Sequence, residues 1–191
     1  MKIGLFFGSF NPIHLGHLAM ANYFTEFTDL ERIWLVISPQ SPFKNKNNLL
    51  EEHHRYNMAQ LALEGDIKIR PSNIEFQLPR PSYTIDTLTY ISENYPDHSF
   101  HLILGSDNLT YLHQWKNFSE LIRKYSIYVY PRSEVDPSEY AGRYQFKIVN
   151  APLIEISSSF IRNSIKQGKD VRYFLPAKVY KYLKDNHFYE K

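Results

Sequence analysis

Residues 8 to 17, Gly-Ser-Phe-Asn-Pro-Ile-His-Leu-Gly-His, lie between two runs of different period. Before them, Ile3 to Phe7 is an apolar run of the kind a buried strand shows. After them, Met20, Tyr23, Phe24 and Phe27 recur at i, i+3, i+4 and i+7, the period of an amphipathic helix. The stretch is therefore a strand-to-helix turn, punctuated by Gly8 and Pro12. Such a turn commits the chain to an α/β arrangement. It also fixes where His14 and His17 fall, at or just inside the start of the helix.

A helix start has unpaired N–H groups and a partial positive charge, so it attracts phosphate. His14 and His17 are three apart and share one face of the first turn. Gly16 between them carries no side chain, so a ligand or another backbone can come close. Two imidazoles over an anion site can donate hydrogen bonds to phosphoryl oxygens and hold charge that develops during phosphoryl transfer. The plainer reading is a pair of surface histidines or half of a zinc site. The chain has no cysteine and no third ligand beside the pair, which disfavours structural zinc.

The chain of 191 residues is long enough for one good core, and a single domain over 1–191 is expected, with a core to about 155 and a helical part over 156–191. A net charge of +2 gives no global field for nucleic acid or a membrane surface, so any anion site must be local. Without cysteine there are no disulfides and no thiol catalysis. No basic segment followed by an apolar one opens the chain, and no apolar run approaches the ~20 residues that span a bilayer. A cytoplasmic protein is expected, and a homo-oligomer is compatible with the sequence.

Further along, Arg32 to Ser38 reads as a second buried strand, making a right-handed βαβ unit with the first. Residues 38 to 48 read as a polar loop; Lys44 and Lys46 are placed where they could reach phosphate from the strand's carboxyl end, or be merely solvated, and for Lys46 the solvated reading is favoured. Leu50 to Glu64 is a helix with Leu50, Met58, Leu61 and Ala62 inside and Glu51, Glu52, His53, His54 and Arg55 on the wet face. His53 and His54 are adjacent and do not face one another, so they read as surface residues. Ile67 to Arg70 is a strand, and Ser72 to Leu78 a candidate for another. Ser82 or Thr84 can cap a helix whose buried side is Leu88, Ile91 and Tyr95. Phe100 to Leu104 is a strand that ends at Gly105, with Asp107 either a helix cap or an acceptor for ribose hydroxyls. Trp115 follows in a polar stretch, where an indole face can stack on a ring. Strands follow at 126–132 and 146–149. Ile156-Ser157-Ser158-Ser159-Phe160-Ile161-Arg162 then opens a helix with a cap, free N–H groups and hydroxyls. Arg162 lies above Ser158, on the side away from Ile161 and Ile165. A last helix, near residues 175–186, packs through Val179, Tyr182 and Leu183.

The ten-residue stretch resembles the G-x-F-x-P-x-H-x-G-H signature of a nucleotidyltransferase superfamily with a Rossmann-like fold. It matches at Gly8, Phe10, Pro12, His14, Gly16 and His17, with Asn11 where bacterial members often have Asp. Four other segments resemble the family in order: S-P-F-K ending at Lys44, S-Y-T-x-D-T-L from Ser82, G-x-D-x-L from Gly105 and I-S-S-S-x-I-R from Ile156. The segment from Ser82 resembles the nicotinate mononucleotide branch in particular.

The count of apolar runs points to an α/β fold, a Rossmann-like open parallel sheet of about five or six strands with helices on both faces, and the last two helices to a small C-terminal helical appendage. The resemblance implies transfer of AMP from ATP to nicotinate mononucleotide, with Mg²⁺ arriving on ATP and no dedicated metal site. It places His14, His17, Lys44 and Arg162 in catalysis. Gly8, Ser9, Phe10, Gly105, Asp107, Ile156, Ser157 and Ser158 fall around ATP, and Ser9, Phe10, Lys44, Thr84 and Trp115 around the mononucleotide. Nicotinamide mononucleotide and pantetheine-phosphate adenylyltransferases are the alternatives within the class. A non-catalytic nucleotide-binding module is the alternative outside it, and a binder of single-stranded nucleic acid lacks the basic charge.

Overall fold

The computed structural model describes residues 1–39 and 49–190. Six strands form one sheet in the order β3-β2-β1-β4-β5-β6, every pair parallel. They are β1 (Lys2–Gly8), β2 (Arg32–Ile37), β3 (Ile69–Ser72), β4 (Ser99–Gly105), β5 (Ile127–Tyr130) and β6 (Lys147–Ile148). The helices are α1 (Leu15–Phe27), α2 (Glu52–Ala62), α3 (Thr84–Asn94), α4 (Phe118–Lys124), α5 (Ser158–Lys166) and α6 (Ala177–Asp185).

The near-continuous apolar runs of the strands feed two cores, because successive side chains point to opposite faces. On β2, Ile33, Leu35 and Ile37 face one core, with Met20 and Phe24 of α1, Met58 of α2, Ile161 of α5 and Val179 and Leu183 of α6. Trp34 and Val36 face the other, with Leu88 and Ile91 of α3 and Leu121 of α4. Strand order grows in one direction from β1 through β2 to β3 and in the other through β4, β5 and β6. The carboxyl ends of β1 and β4 therefore flank the switch point where open α/β sheets bind ligands.

Several local expectations are corrected. Ser72 to Leu78 does not form a strand: β3 ends at Ser72, and Ile74–Gln77 makes a 3-10 turn that carries Glu75 inward. The preceding strand starts at Ile69, and Ile67 is 83% exposed. Tyr83 holds the N-cap position of α3 with no side-chain bond, so neither Ser82 nor Thr84 caps the helix; the Ser82 hydroxyl donates to Glu75 at 3.1 Å instead. Phe27 is exposed and stacks on Tyr23, and Tyr95 sits at the rim with its ring edge-on to Trp34. Among the described residues no helix is long and apolar enough to cross a membrane.

Candidate active site

The cleft at the switch point has a volume of about 550 Å³. Gly8, Ser9, Phe10, His14 and His17 line it from the end of β1 and the start of α1. Gly105, Asp107 and Trp115 line it from beyond β4, Thr84 from α3, and Ile156, Ser157, Ser158 and Arg162 from the α5 start. Every residue expected at the site therefore borders one cleft, except Lys44, which lies outside the described residues.

His14 is the N-cap of α1, and the two histidines bind each other's backbones reciprocally. His17 N–H donates to His14 Nδ1 at 3.4 Å, and His14 N–H donates to His17 Nδ1 at 3.3 Å. Each Nδ1 is thus an acceptor, which puts the proton of a neutral imidazole on Nε2 in both rings. The rings stack with centroids 3.6 Å apart. His14 is buried, and burial, with Arg132 nearby, pulls it down from 6.5 to about 3. At neutral pH it is a hydrogen-bond donor and not a cation. The room at Gly16 serves this stack rather than a ligand: a Cβ there would meet the His14 ring at 3.1 Å and Ile154 at 3.2 Å. Phe10 packs its ring against His17, centroids 4.9 Å apart, and is itself buried, so only its backbone can approach a ligand.

The second helix start faces this pair. Ser157 caps α5 by accepting from the Phe160 N–H at 3.1 Å. Ser158 Oγ donates to the Pro12 carbonyl at 2.9 Å, so its proton ties α5 to the signature turn and is not offered to a ligand, a correction to its expected role as a hydroxyl donor. The first-turn N–H groups remain for an anion. Arg162 donates through one terminal nitrogen to the Asn11 carbonyl at 2.8 Å and through the other to Ser159 Oγ at 3.2 Å. A guanidinium has five N–H donors, which leaves three for a ligand. Across the cleft, Asp107 does not cap its 3-10 turn, whose cap position is Gly105. A Cβ at Gly105 would displace the Asp107 carboxylate, so the glycine leaves that side chain its place beside the Tyr130 ring. Trp115 is half-buried, and its Nε1–H has no partner among the described residues.

Three charged side chains in or beside the cleft are not among the expected site residues. Arg55, expected on the wet face of α2, is completely buried. Its guanidinium donates to the carbonyls of Ser9 (2.7 Å), Ser38 (2.7 Å), Pro39 (2.9 Å) and Leu50 (2.8 Å). Burial lowers it to about 10, still charged at neutral pH. The signal was present, since Arg55 precedes Met58, Ala59 and Ala62 by three, four and seven and so shares their apolar stripe. Glu75 is buried, accepts from Thr87 Oγ1 at 2.8 Å and from Ser82, and joins the wall below Tyr83 and Thr84. Burial pushes its carboxyl above the usual range against the pull of those hydroxyls. Arg132, two residues beyond the end of β5, lines the cleft and sits over the Tyr130 ring. His53 and His54 lie outside the cleft. Their rings approach to 4.0 Å despite being adjacent in the helix, and with Glu51 they form a cluster whose ligand atoms fall within 4.8 Å of one another. That cluster is at the start of α2, where the dipole opposes a cation, and His54 Nδ1 is already bonded to the Tyr182 hydroxyl at 2.8 Å.

An open parallel sheet with helix starts and cationic side chains converging at its switch point is the framework of a nucleotide-binding α/β enzyme. Residues 5–164 match the model of the cytidylyltransferase-like family, and the chain belongs to that family. A protein of Flavobacterium johnsoniae named as a probable nicotinate-nucleotide adenylyltransferase is 50% identical over 193 residues, covering all of both chains. One of Christiangramia forsetii with the same name is 51% identical, covering 99% of this chain and 98% of its own. Among solved structures, the Plasmodium falciparum nicotinic acid mononucleotide adenylyltransferase complexed with NaAD superposes with a TM-score of 0.82, covering 99% of this chain and 97% of that one. At 22% identity the likeness is one of fold.

Proposed function

We infer that this chain transfers AMP from ATP to nicotinate mononucleotide, giving nicotinate adenine dinucleotide and pyrophosphate. The observation that carries this reading is one cleft with a phosphate side, His14, His17, the α5 start and Arg162, and an aromatic side at Trp115, beside the start of α3. Relatives at about half identity over the full length carry the corresponding name.

The mononucleotide's phosphate oxygen attacks the α-phosphorus of ATP. A new phosphoanhydride forms as the α–β anhydride breaks, and pyrophosphate leaves with the electron pair. The substrate supplies the nucleophile, so the protein's part is positioning and charge stabilisation. His14 donates through Nε2–H to a phosphate oxygen, and His17, one ring closer to the helix interior, steadies the charge that grows in the transition state. Arg162 and the α5 N–H groups hold the polyphosphate, and Lys44 adds a cation from the 40–48 segment. Asp107 accepts from hydroxyls of the adenosine ribose. Trp115 stacks on the pyridine, and the N–H groups that open α3 at Thr84 receive its carboxylate. Mg²⁺ comes with ATP and neutralises phosphate charge. Its delivery by the nucleotide suits a cleft whose carboxylates are Asp107 and a hydroxyl-bonded Glu75 rather than a cluster. A cytoplasmic setting accords with this chemistry.

Incubation with ATP, Mg²⁺ and nicotinate mononucleotide tests the reading. The dinucleotide and pyrophosphate should appear in equal amounts by chromatography. ATP consumption without a dinucleotide, or neither product, contradicts it.

A further inference from the structure

The end of the chain returns to the signature turn. After α6 the backbone reverses through two left-handed positions, His187 at φ 52° and Tyr189 at φ 65°. Such conformations are uncommon outside glycine and persist where surrounding structure over-determines them. Here the fixing contacts are clear. Phe188 packs its ring on His54, centroids 4.7 Å apart, and Glu190 pairs with Lys184 and His187. The Tyr189 hydroxyl then donates to Asn11 Oδ1 at 2.5 Å, a contact between residues 178 positions apart. The same Oδ1 accepts the Leu50 N–H at 3.2 Å, and the Asn11 carbonyl accepts from Arg162 at 2.8 Å. Asn11 therefore joins the tail to the polyphosphate cation and to the chain's re-entry at Leu50. Burial keeps the phenol protonated, and the charges of Arg55 and Arg162 oppose that only in part, so Tyr189 remains the donor.

We propose that Tyr189 is a positioning residue for the polyphosphate site, acting through Asn11 to fix the turn that carries His14 and His17 and to anchor Arg162. This rests on reading the cleft as an ATP site. Without the hydroxyl, Asn11 Oδ1 keeps only the Leu50 N–H of these two donors, the turn gains freedom, and the carbonyl that orients Arg162 moves with it.

The test is Tyr189→Phe, which removes one hydroxyl and little volume, with equilibrium binding of ATP measured by calorimetry in the absence of acceptor. ATP affinity should fall by about three- to tenfold, the loss expected for a modest hydrogen bond. The KM of the mononucleotide should stay unchanged, and the thermal midpoint should drop by no more than about 4 °C. In an Asn11→Ala background Tyr189→Phe should have no further effect, because the two act as one unit. Unchanged ATP affinity in Tyr189→Phe, or the same loss with and without Asn11, overturns the proposal. Because binding is read without turnover, a wild-type protein that binds ATP but makes no dinucleotide sinks the proposed reaction alone. One that binds no ATP sinks both.

Discussion

The side of the cleft proposed to take phosphate is tied to residues far along the chain, and the side proposed to take the pyridine to residues close by. Asn11 is held by Tyr189, 178 positions away, its carbonyl by Arg162, 151 away, and the neighbouring Pro12 carbonyl by Ser158, 146 away. On the other side, Glu75 binds Ser82 and Thr87, seven and twelve positions on, and Lys116 binds Asp86, 30 away, on the surface. Long-range anchoring places donors rigidly before substrate arrives, as charge stabilisation requires. Local elements that pack on one another can shift with modest loss, which suits the part of a site that chooses a substrate. The two sides should therefore fail differently when altered.

The largest effect is expected at His17. His17→Ala should lower turnover by about 10²–10³, the loss typical of one preorganised donor, while ATP affinity changes little. Equal losses in turnover and binding would make His17 a binding residue and remove the contrast between the two sides. Arg162→Ala comes next. Losing hydrogen bonds to a charged ligand, worth about 1.5–3 kcal/mol each, should cut kcat/KM for ATP by ten- to a hundredfold, with the mononucleotide KM unaffected. On the pyridine side, Trp115→Ala should raise the mononucleotide KM by roughly tenfold, within the ~1–3 kcal/mol of a stacked ring, and leave the KM of ATP alone. A change in the ATP value instead would mean that the sides are coupled.

The last effect is on stability rather than on kinetics and concerns pH. His14 titrates at about 3 when folded and near 6.5 when exposed. Between those values the unfolded chain takes up a proton that the folded chain refuses, so His14 costs stability as pH falls from 6.5 toward 3. The slope is at most about 1.4 kcal/mol per pH unit. Thermal melts of His14→Gln across that range should show a flatter decline than the wild type. Parallel curves would mean that His14 is charged in the fold.

The same contrast decides what the sequence could reveal. The strand-turn-helix at 8–17 and the serine-rich start of α5 were legible because period, punctuation and capping are local signals. So were the buried strands, whose apolar runs gave both the parallel sheet and its two covered faces. Arg55 has a charge that points to solvent and a spacing on the Met58 stripe that points inward, and in the fold the spacing prevails. Its four carbonyl partners come from three segments and could not be read from one window. Tyr189 gives no local signal, since it is one of 15 tyrosines in an aromatic-rich chain and its partner Asn11 lies 178 positions away. Gly16 marks a close approach, but its partner, the stacked His14 ring, depends on a rotamer the sequence does not encode.

The most direct measurement is pyrophosphate release with ATP and Mg²⁺ on nicotinate mononucleotide, nicotinamide mononucleotide and phosphopantetheine, run side by side. A strong preference for nicotinate mononucleotide is expected from a cleft with an aromatic wall and a helix start facing the acceptor. Preference for either other acceptor would keep the histidines and the fold but contradict the pyridine side, and no release from any of the three would contradict the reaction itself.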